Sequence, residues 1–303
     1  MKNTTSKRFH NGFFALIILM LLWGVSGLIF GTINVTTYWS IGLGAVVALL
    51  YITSEAIRIY GWIKGLLTIL IVTLVTGGLL VLNALRSWPL GLVIYHDILG
   101  YKIFNVAWPI PIFWASIVSA SLLLMRRKDI SDDPKELFSW AFDSGIMVMI
   151  LALVIEPLTN NTPMLIWVNQ GIILGVPLTD ILGWFVIAFL ASVCAITGAK
   201  IWKPAKAKIS PHLPFVMATF FVLVCILSTI LHIALVQISS ALVAVILFIW
   251  SIKIFKAGRP KIQTQSPSIV DVNPENTNIT INEATINAVP DEQTVKLNNK
   301  ALD

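Results

Sequence analysis

Charged side chains are scarce in this sequence, and their scarcity excludes an ordinary water-soluble domain. They make up 12% of the 303 residues, whereas apolar residues make up 57% and the mean hydropathy is +0.85. Soluble domains carry roughly 25% charged residues. The composition is therefore typical of a protein whose main solvent is lipid.

Cysteine and the common catalytic motifs are also missing or rare. The two cysteines, Cys194 and Cys225, lie in apolar stretches, lack the spacing of a metal site and are predicted to be small core residues. Phosphate-binding loops, dinucleotide-binding glycine patterns, His-rich di-iron motifs, c-haem attachment sites and nucleophile elbows are absent. The sequence thus predicts no metal and no cofactor. An enzyme of this kind would use acids, bases and water on a lipophilic substrate.

Long apolar runs dominate what is present. A bilayer core roughly 30 Å thick needs about 20 apolar residues per spanning helix, and continuous rather than alternating runs favour helices over a barrel. The sequence predicts an all-α, polytopic membrane helix bundle of about eight transmembrane helices, with seven as the alternative because the last two runs almost meet. The runs cover residues 12–31, 37–54, 63–84, 106–125, 137–156, 180–199, 213–233 and 238–255.

The basic residues predict the orientation. On the eight-span topology, all but Arg86 and Lys102 of the 21 Lys and Arg residues fall on one face, as expected for cytoplasmic loops. This predicts a multi-pass protein of the cytoplasmic membrane with both termini in the cytoplasm. It also accounts for the net charge of +6 without a nucleic-acid partner.

Three regions follow from this topology. Residues 1–11 form a cytoplasmic N-terminal tail, and residues 12–256 form the transmembrane helical domain. Residues 257–303 are rich in Asn, Thr, Pro, Asp and Glu and contain few large apolar residues. Such a composition buries too little surface to fold, so it predicts a disordered cytoplasmic tail.

Two connections on the outer face are poor in charge but rich in Trp, Pro, Gly and Asn. They cover residues 88–114 and 156–185. Their apolar stretches, such as 90–94 and 172–176, are too short to span, which predicts re-entrant or interfacial segments. Their tryptophans are expected to form an interfacial aromatic belt or, around a cavity, to stabilise a cation; they are Trp88, Trp108, Trp114, Trp167 and Trp184.

Acids occupy the helix ends in these connections. Glu156 precedes Pro157 at the end of the fifth predicted span, where the helix dipole and apolar surroundings disfavour its ionised form. Asp180 begins the sixth span, where backbone N–H groups favour a carboxylate. Two carboxyls in opposite environments suit a division of acid and base roles. The structural alternatives are an N-cap for Asp180 and a water-facing interfacial acid for Glu156. His96 and Asp97 form a third polar point.

The run GVPLTDILGWF at residues 175–185, with Trp167, Gly171 and Glu156-Pro157 before it, resembles the integral-membrane carotenoid biosynthesis family. That family includes carotenoid 1′,2′-hydratases and bisanhydrobacterioruberin hydratases. A second resemblance covers Pro89-Leu90-Gly91, Tyr95, Leu99-Gly100 and the run AWPIP before Trp114. The similar region extends over roughly residues 85–190. Relatives commonly carry Asp in place of Glu156 and Asn in place of Asp180.

The resemblance implies hydration of a terminal C=C bond in an acyclic carotenoid end group. Glu156 would donate a proton, Trp167 or Trp184 would stabilise the cation, and Asp180 would act as base on the attacking water, with His96 and Asp97 as further catalytic candidates. The implied partners are a lipophilic polyene, membrane lipid and other enzymes of the pathway. The expected substrate-binding residues are Tyr95, Trp108, Trp114, Trp167, Asn169 and Trp184.

A non-catalytic protein is the alternative hypothesis. A small transporter also uses broken segments with acids at helix ends, but its site should lie near the bilayer midplane. There only Asp143, in the fifth predicted span, offers a charge. A carotenoid-binding scaffold would hold the pigment and leave it chemically unchanged.

Overall fold

The computed structural model describes residues 35–126, 133–160, 164–202, 212–230 and 234–258, together with residues 12, 15, 16 and 19. Apart from residues 12, 15, 16 and 19, the predicted first span lies outside the described part of the chain, as does most of the predicted C-terminal tail. The count of eight spans and the tail boundaries therefore stay predictions.

Seven helices form the described part of the chain, which confirms the predicted all-α bundle. Four of them are long and apolar enough to cross a membrane: residues 42–60 of α1, then α2, α4 and α5. The helices are α1 (Val35–Tyr60), α2 (Trp62–Arg86), α3 (Pro109–Leu124), α4 (Pro134–Asn160), α5 (Leu178–Ala199), α6 (His212–Ile230) and α7 (Ala234–Gly258).

Helix α3 begins three residues later than predicted. The run was expected to start at residue 106, but Val106–Ala107 forms strand β3 and pairs with strand β2, Lys102–Ile103. Proline lacks an N–H and is tolerated in the first helical turn, where that donor has no partner within the helix. Pro109 and Pro111 both occupy this turn, so they set the start of α3.

The two outer connections meet as a small antiparallel ribbon. Strand β1 (Val93–Tyr95) pairs with strand β4 (Leu165–Trp167), placing Val93 opposite Trp167 and Tyr95 opposite Leu165. The apolar runs had predicted no strands, because alternation over three residues is too short to recognise. We call the end of the bundle that carries this ribbon the loop end.

Helix α2 has one face inside the bundle and the other face exposed. It packs against α1, α3 and α5, while α4 packs against α3 and α5. Helices α6 and α7 pack mainly against each other. Residues spaced three and four apart put one face of α2 inside the bundle; they are Gly65, Thr68, Ile69, Val72, Thr76, Leu80 and Asn83.

The opposite end of the bundle holds polar contacts of its own. Glu55 is fully buried and pairs with Arg58 at 2.6 Å between Oε2 and Nη2. The Lys64 ammonium donates to the carbonyl oxygen of Lys200 at 3.1 Å, which satisfies an acceptor at the C-terminal end of α5. The first contact lies within α1, and the second links α2 to the end of α5.

Candidate active site

Glu156 lies inside the bundle near the end of α4. Its side chain is buried, and the Trp184 indole N–H donates to its Oε1 at 3.0 Å. The Thr159 hydroxyl oxygen lies 2.9 Å from the Glu156 carbonyl oxygen and 3.1 Å from Oε2. The alternative hypothesis, in which Glu156 is an interfacial acid that faces water, is therefore wrong, because the ends of α4 and α5 enclose its side chain.

Asp180 is fully buried as the third residue of α5. The N-cap alternative is wrong, since Pro177 occupies the cap position and no side chain caps this helix. Proline fixes φ near the helical value, so it can begin a helix. Among the described residues, neither Asp180 carboxyl oxygen has a hydrogen-bond partner. The backbone donors expected to favour this carboxylate are therefore not used by it.

Glu156 and Asp180 come together in the structure, and we call them the carboxyl pair. Glu156 acts electrostatically on Asp180. Trp184 links them, because its N–H is bonded to Glu156 and also interacts with Asp180 without hydrogen-bond geometry. Neither carboxyl forms an ion pair with another described residue. Such a pair can exchange protons with a bound molecule in both directions.

Tyr95 completes this group from strand β1. It is 5% exposed. Burial raises the pKa of the Tyr95 hydroxyl above its ordinary value, and negative charge on either Glu156 or Asp180 raises it further. Tyr95 therefore stays a neutral hydrogen-bond donor beside the carboxyl pair.

Three of the five tryptophans lie inside the bundle instead of forming a belt. Trp114, Trp167 and Trp184 are 1–3% exposed, whereas Trp88 is 53% exposed. The Trp114 and Trp184 rings stack with centroids 3.7 Å apart and planes 20° from parallel, a contact worth about 0.5–1.5 kcal/mol beyond burial. The Trp167 indole N–H has no hydrogen-bond partner among the described residues.

Asn83 was missed by sequence reasoning, although an amide late in an apolar helix is a recognisable signal. Its Nδ2 donates to the carbonyl oxygen of Gly91 at 3.0 Å, and its Oδ1 accepts from the N–H groups of Leu90 and Gly91 at 2.8 and 3.3 Å. The Thr179 hydroxyl donates to the Leu90 carbonyl oxygen at 3.3 Å. The turn before β1 is thus fixed to both α2 and α5.

Gly183 allows this turn to approach α5 closely. A Cβ atom at this position would lie 2.8 Å from the Leu90 Cδ2 atom and 2.8 Å from the Pro89 carbonyl oxygen. Any larger residue would push the turn away from the helix. The glycine therefore helps to set the position of strand β1, and of Tyr95 on it, relative to the carboxyl pair.

Replacing Asn83 with Ala is expected to lower the free energy of unfolding by about 1–3 kcal/mol, because buried backbone groups of the turn lose their partners. Thermal and denaturant unfolding in detergent micelles measures the change. Asn169→Ala is the matched control, since Asn169 is exposed. Equal stability of the two variants would contradict the role assigned to Asn83.

Three other predicted residues have surroundings of a different kind. Asp97 is 93% exposed and its Oδ1 lies 2.6 Å from the Lys102 ammonium; the hydrogen bond and charge of Lys102 lower the pKa of Asp97. Exposed His96 accepts from the Ile98 N–H at 3.2 Å. Trp108 is half-buried and packs over Gly42 of α1. The catalytic and binding roles of these residues stay predictions.

The described residues contain no group of three or more His, Cys, Asp and Glu side chains positioned to hold a metal ion. Asp143, the candidate for a midplane charge, is half-buried in α4. Among the described residues at the loop end, the buried groups that could take part in acid-base chemistry or hydrogen bonding to a substrate are thus the carboxyl pair, Tyr95 and the indole N–H groups.

Comparison with known proteins gives the family. The family described as carotenoid biosynthesis protein matches residues 22–250, which is about three quarters of the chain and includes the carboxyl pair. Neither the curated proteins nor the solved structures gave a match. The matched length covers all seven described helices except the last residues of α7, and this chain belongs to the carotenoid biosynthesis protein family.

Proposed function

We propose that this protein adds water across a terminal C=C bond of an acyclic carotenoid end group by acid-base catalysis. The observation that carries the proposal is the buried carboxyl pair, bridged by Trp184, in a membrane bundle of the carotenoid biosynthesis family. Hydration of a trisubstituted alkene needs a proton donor, protection of a tertiary cation and a base for water. The site offers a residue for each task.

Glu156 is the proton donor. Two neighbouring buried carboxyls without a cation cannot both ionise at low cost, so the pair retains a proton. The Thr159 hydroxyl has one hydrogen and lies closer to the carbonyl oxygen of Glu156 than to Oε2. With that hydrogen donated to the carbonyl oxygen, the Thr159 oxygen can accept a hydrogen bond from a protonated Oε2, while Oε1 accepts from the Trp184 N–H. This arrangement fits a protonated Glu156.

The Trp114–Trp184 stack protects the cation. Proton transfer to the less substituted alkene carbon leaves a tertiary cation on its neighbour. An aromatic ring face stabilises a desolvated cation by about 2 kcal/mol or more. Because the Trp184 N–H also bonds Oε1 of Glu156, its ring is held beside the carboxyl group that donates the proton.

Asp180 is the base. Its carboxyl oxygens have no protein partner among the described residues, so they are available to accept a hydrogen bond from water. The water oxygen bonds to the cationic carbon, and its proton passes to Asp180. A proton transfer from Asp180 to Glu156 then restores the starting state, which needs no other reactant. Tyr95 donates a hydrogen bond that keeps the water oriented.

The test is the mass of carotenoids from cells that make an acyclic carotene, with and without this protein. Liquid chromatography with mass detection is expected to show a product heavier by one water. Bound but unmodified pigment would instead support a carotenoid-binding scaffold. An unchanged pigment profile across several acyclic substrates would overturn the hydratase proposal.

The distribution of basic residues supports a site near the outer face of the cytoplasmic membrane, with both termini in the cytoplasm. A polyene lying in the bilayer would then present its end group to the loop end. Enzymes that supply the acyclic chain or use the hydroxylated end are the expected pathway partners.

A further inference from the structure

A row of four aromatic rings leads from α6 to Glu156, and we call it the aromatic row. Phe220 of α6 lies 6.0 Å from Phe113 of α3, and Phe113 lies 5.7 Å from Trp114 between ring centroids. Trp114 stacks on Trp184, whose N–H bonds Glu156. The contacts are thus continuous from the α6 helix to the proposed proton donor.

Exposure falls along this row. Phe220 and Phe113 are half-buried, whereas Trp114 and Trp184 are 3% and 1% exposed. One end of the row is therefore accessible at the side of the bundle, which faces lipid in a membrane protein. The other end reaches the acid inside the bundle.

The row lies where two parts of the bundle meet. Helices α6 and α7 pack mainly against each other, and α6 makes few contacts with α3 and α4. The Phe220–Phe113 contact belongs to this small interface. Separating a small interface costs less free energy than separating a large one, because fewer apolar contacts are lost. A narrow molecule can therefore enter more easily here than between α2, α3, α4 and α5.

We propose that the aromatic row binds the conjugated chain of the substrate, a step that rests on the proposed function and names its subsite. A polyene is flat and has π faces along its length. Because Phe113 is inclined by 54° to Phe220 and by 78° to Trp114, the chain would contact some rings face to face and others at their edges, the two arrangements that aromatic groups prefer. Saturated lipid chains lack these faces. Chain binding on Phe220 and Phe113 places the terminal C=C bond at Trp184 and Glu156.

The test compares two double variants that each remove two rings. Phe113→Leu with Phe220→Leu removes the accessible half of the row. Phe138→Leu with Phe189→Leu is the matched control, because these two rings contact each other in a separate group on α4 and α5. Both variants keep apolar side chains, and size-exclusion chromatography with thermal unfolding checks their fold.

Two readouts are measured on the full chain. The first is the carotenoid bound per purified protein from cells making an acyclic carotene, which does not depend on turnover. The second is KM and kcat for hydration in nanodiscs. The row variant is expected to bind about tenfold less pigment and to raise KM about tenfold with little change in kcat, whereas the control keeps wild-type values. Phe113→Tyr with Phe220→Tyr retains the rings and is expected to bind like wild type.

The outcomes separate this subsite from the hydration chemistry. Pigment binding that depends on the row in a protein making no hydrated product supports the subsite and overturns the proposed reaction. Hydration with unchanged KM and pigment binding in the row variant overturns the subsite alone. An equal loss in the Phe138 and Phe189 control, or no pigment on the wild-type protein, also overturns it.

Discussion

Glu156→Gln is expected to lower the rate of carotenoid hydration by about 10²–10⁴-fold, the usual contribution of a positioned general acid. Gln keeps the size of the side chain and can still accept from the Trp184 N–H through its amide oxygen. It cannot donate a proton to an alkene carbon. The rate is measured from the hydrated product formed by purified protein in nanodiscs.

Glu136→Gln is the control for this substitution. Glu136 lies on the same helix, in its first turn, and the change of chemistry is the same. It is expected to leave hydration near the wild-type rate. Wild-type activity of the Glu156 variant would assign the proton donor to another group and overturn the mechanism.

Asp180→Asn is expected to lower net hydration by a similar factor of about 10²–10⁴, because Asn cannot take the proton from water. The defect should differ from that of Glu156→Gln. With Glu156 intact, the alkene is still protonated and the cation can return its proton to Glu156. In D₂O the variant should therefore place deuterium in the end group without adding water.

Mass detection of recovered carotene distinguishes the two acids. Deuterium in unhydrated carotene from the Asp180 variant, and none from the Glu156 variant, is the expected pattern. Deuterium incorporation by neither variant would mean that both carboxyls are needed before the cation forms. Full hydration by the Asp180 variant would remove Asp180 from the mechanism.

The helices were largely predictable because their signal is local. An apolar run of the right length must form a helix in lipid whatever surrounds it, so α2 and α5 agree with the predicted 63–84 and 180–199 to within two residues. The start of α3 was missed because residues 106–107 pair with residues 102–103. That pairing depends on a turn of only two residues, which is too short to be recognised from the sequence.

The site was only partly predictable. Glu156 and Asp180 stood out as rare acids at helix ends, and their type and place supported a shared task. His96 and Asp97 stood out as a third polar point, yet they lie at the surface. The neighbouring Tyr95 faces inward, because side chains alternate along a strand and the pairing of β1 with β4 fixes which face is buried.

By itself, the sequence determined a lipid-soluble helical bundle, because scarce charge and long apolar runs allow no other stable arrangement. It also determined that acids and tryptophans gather in two connections. Only the tertiary structure decided that Glu156, Asp180 and Trp184 meet and that Asn83 holds the turn beside them. Those contacts join residues on different helices, and they depend on how α2, α4 and α5 pack, which no local pattern records.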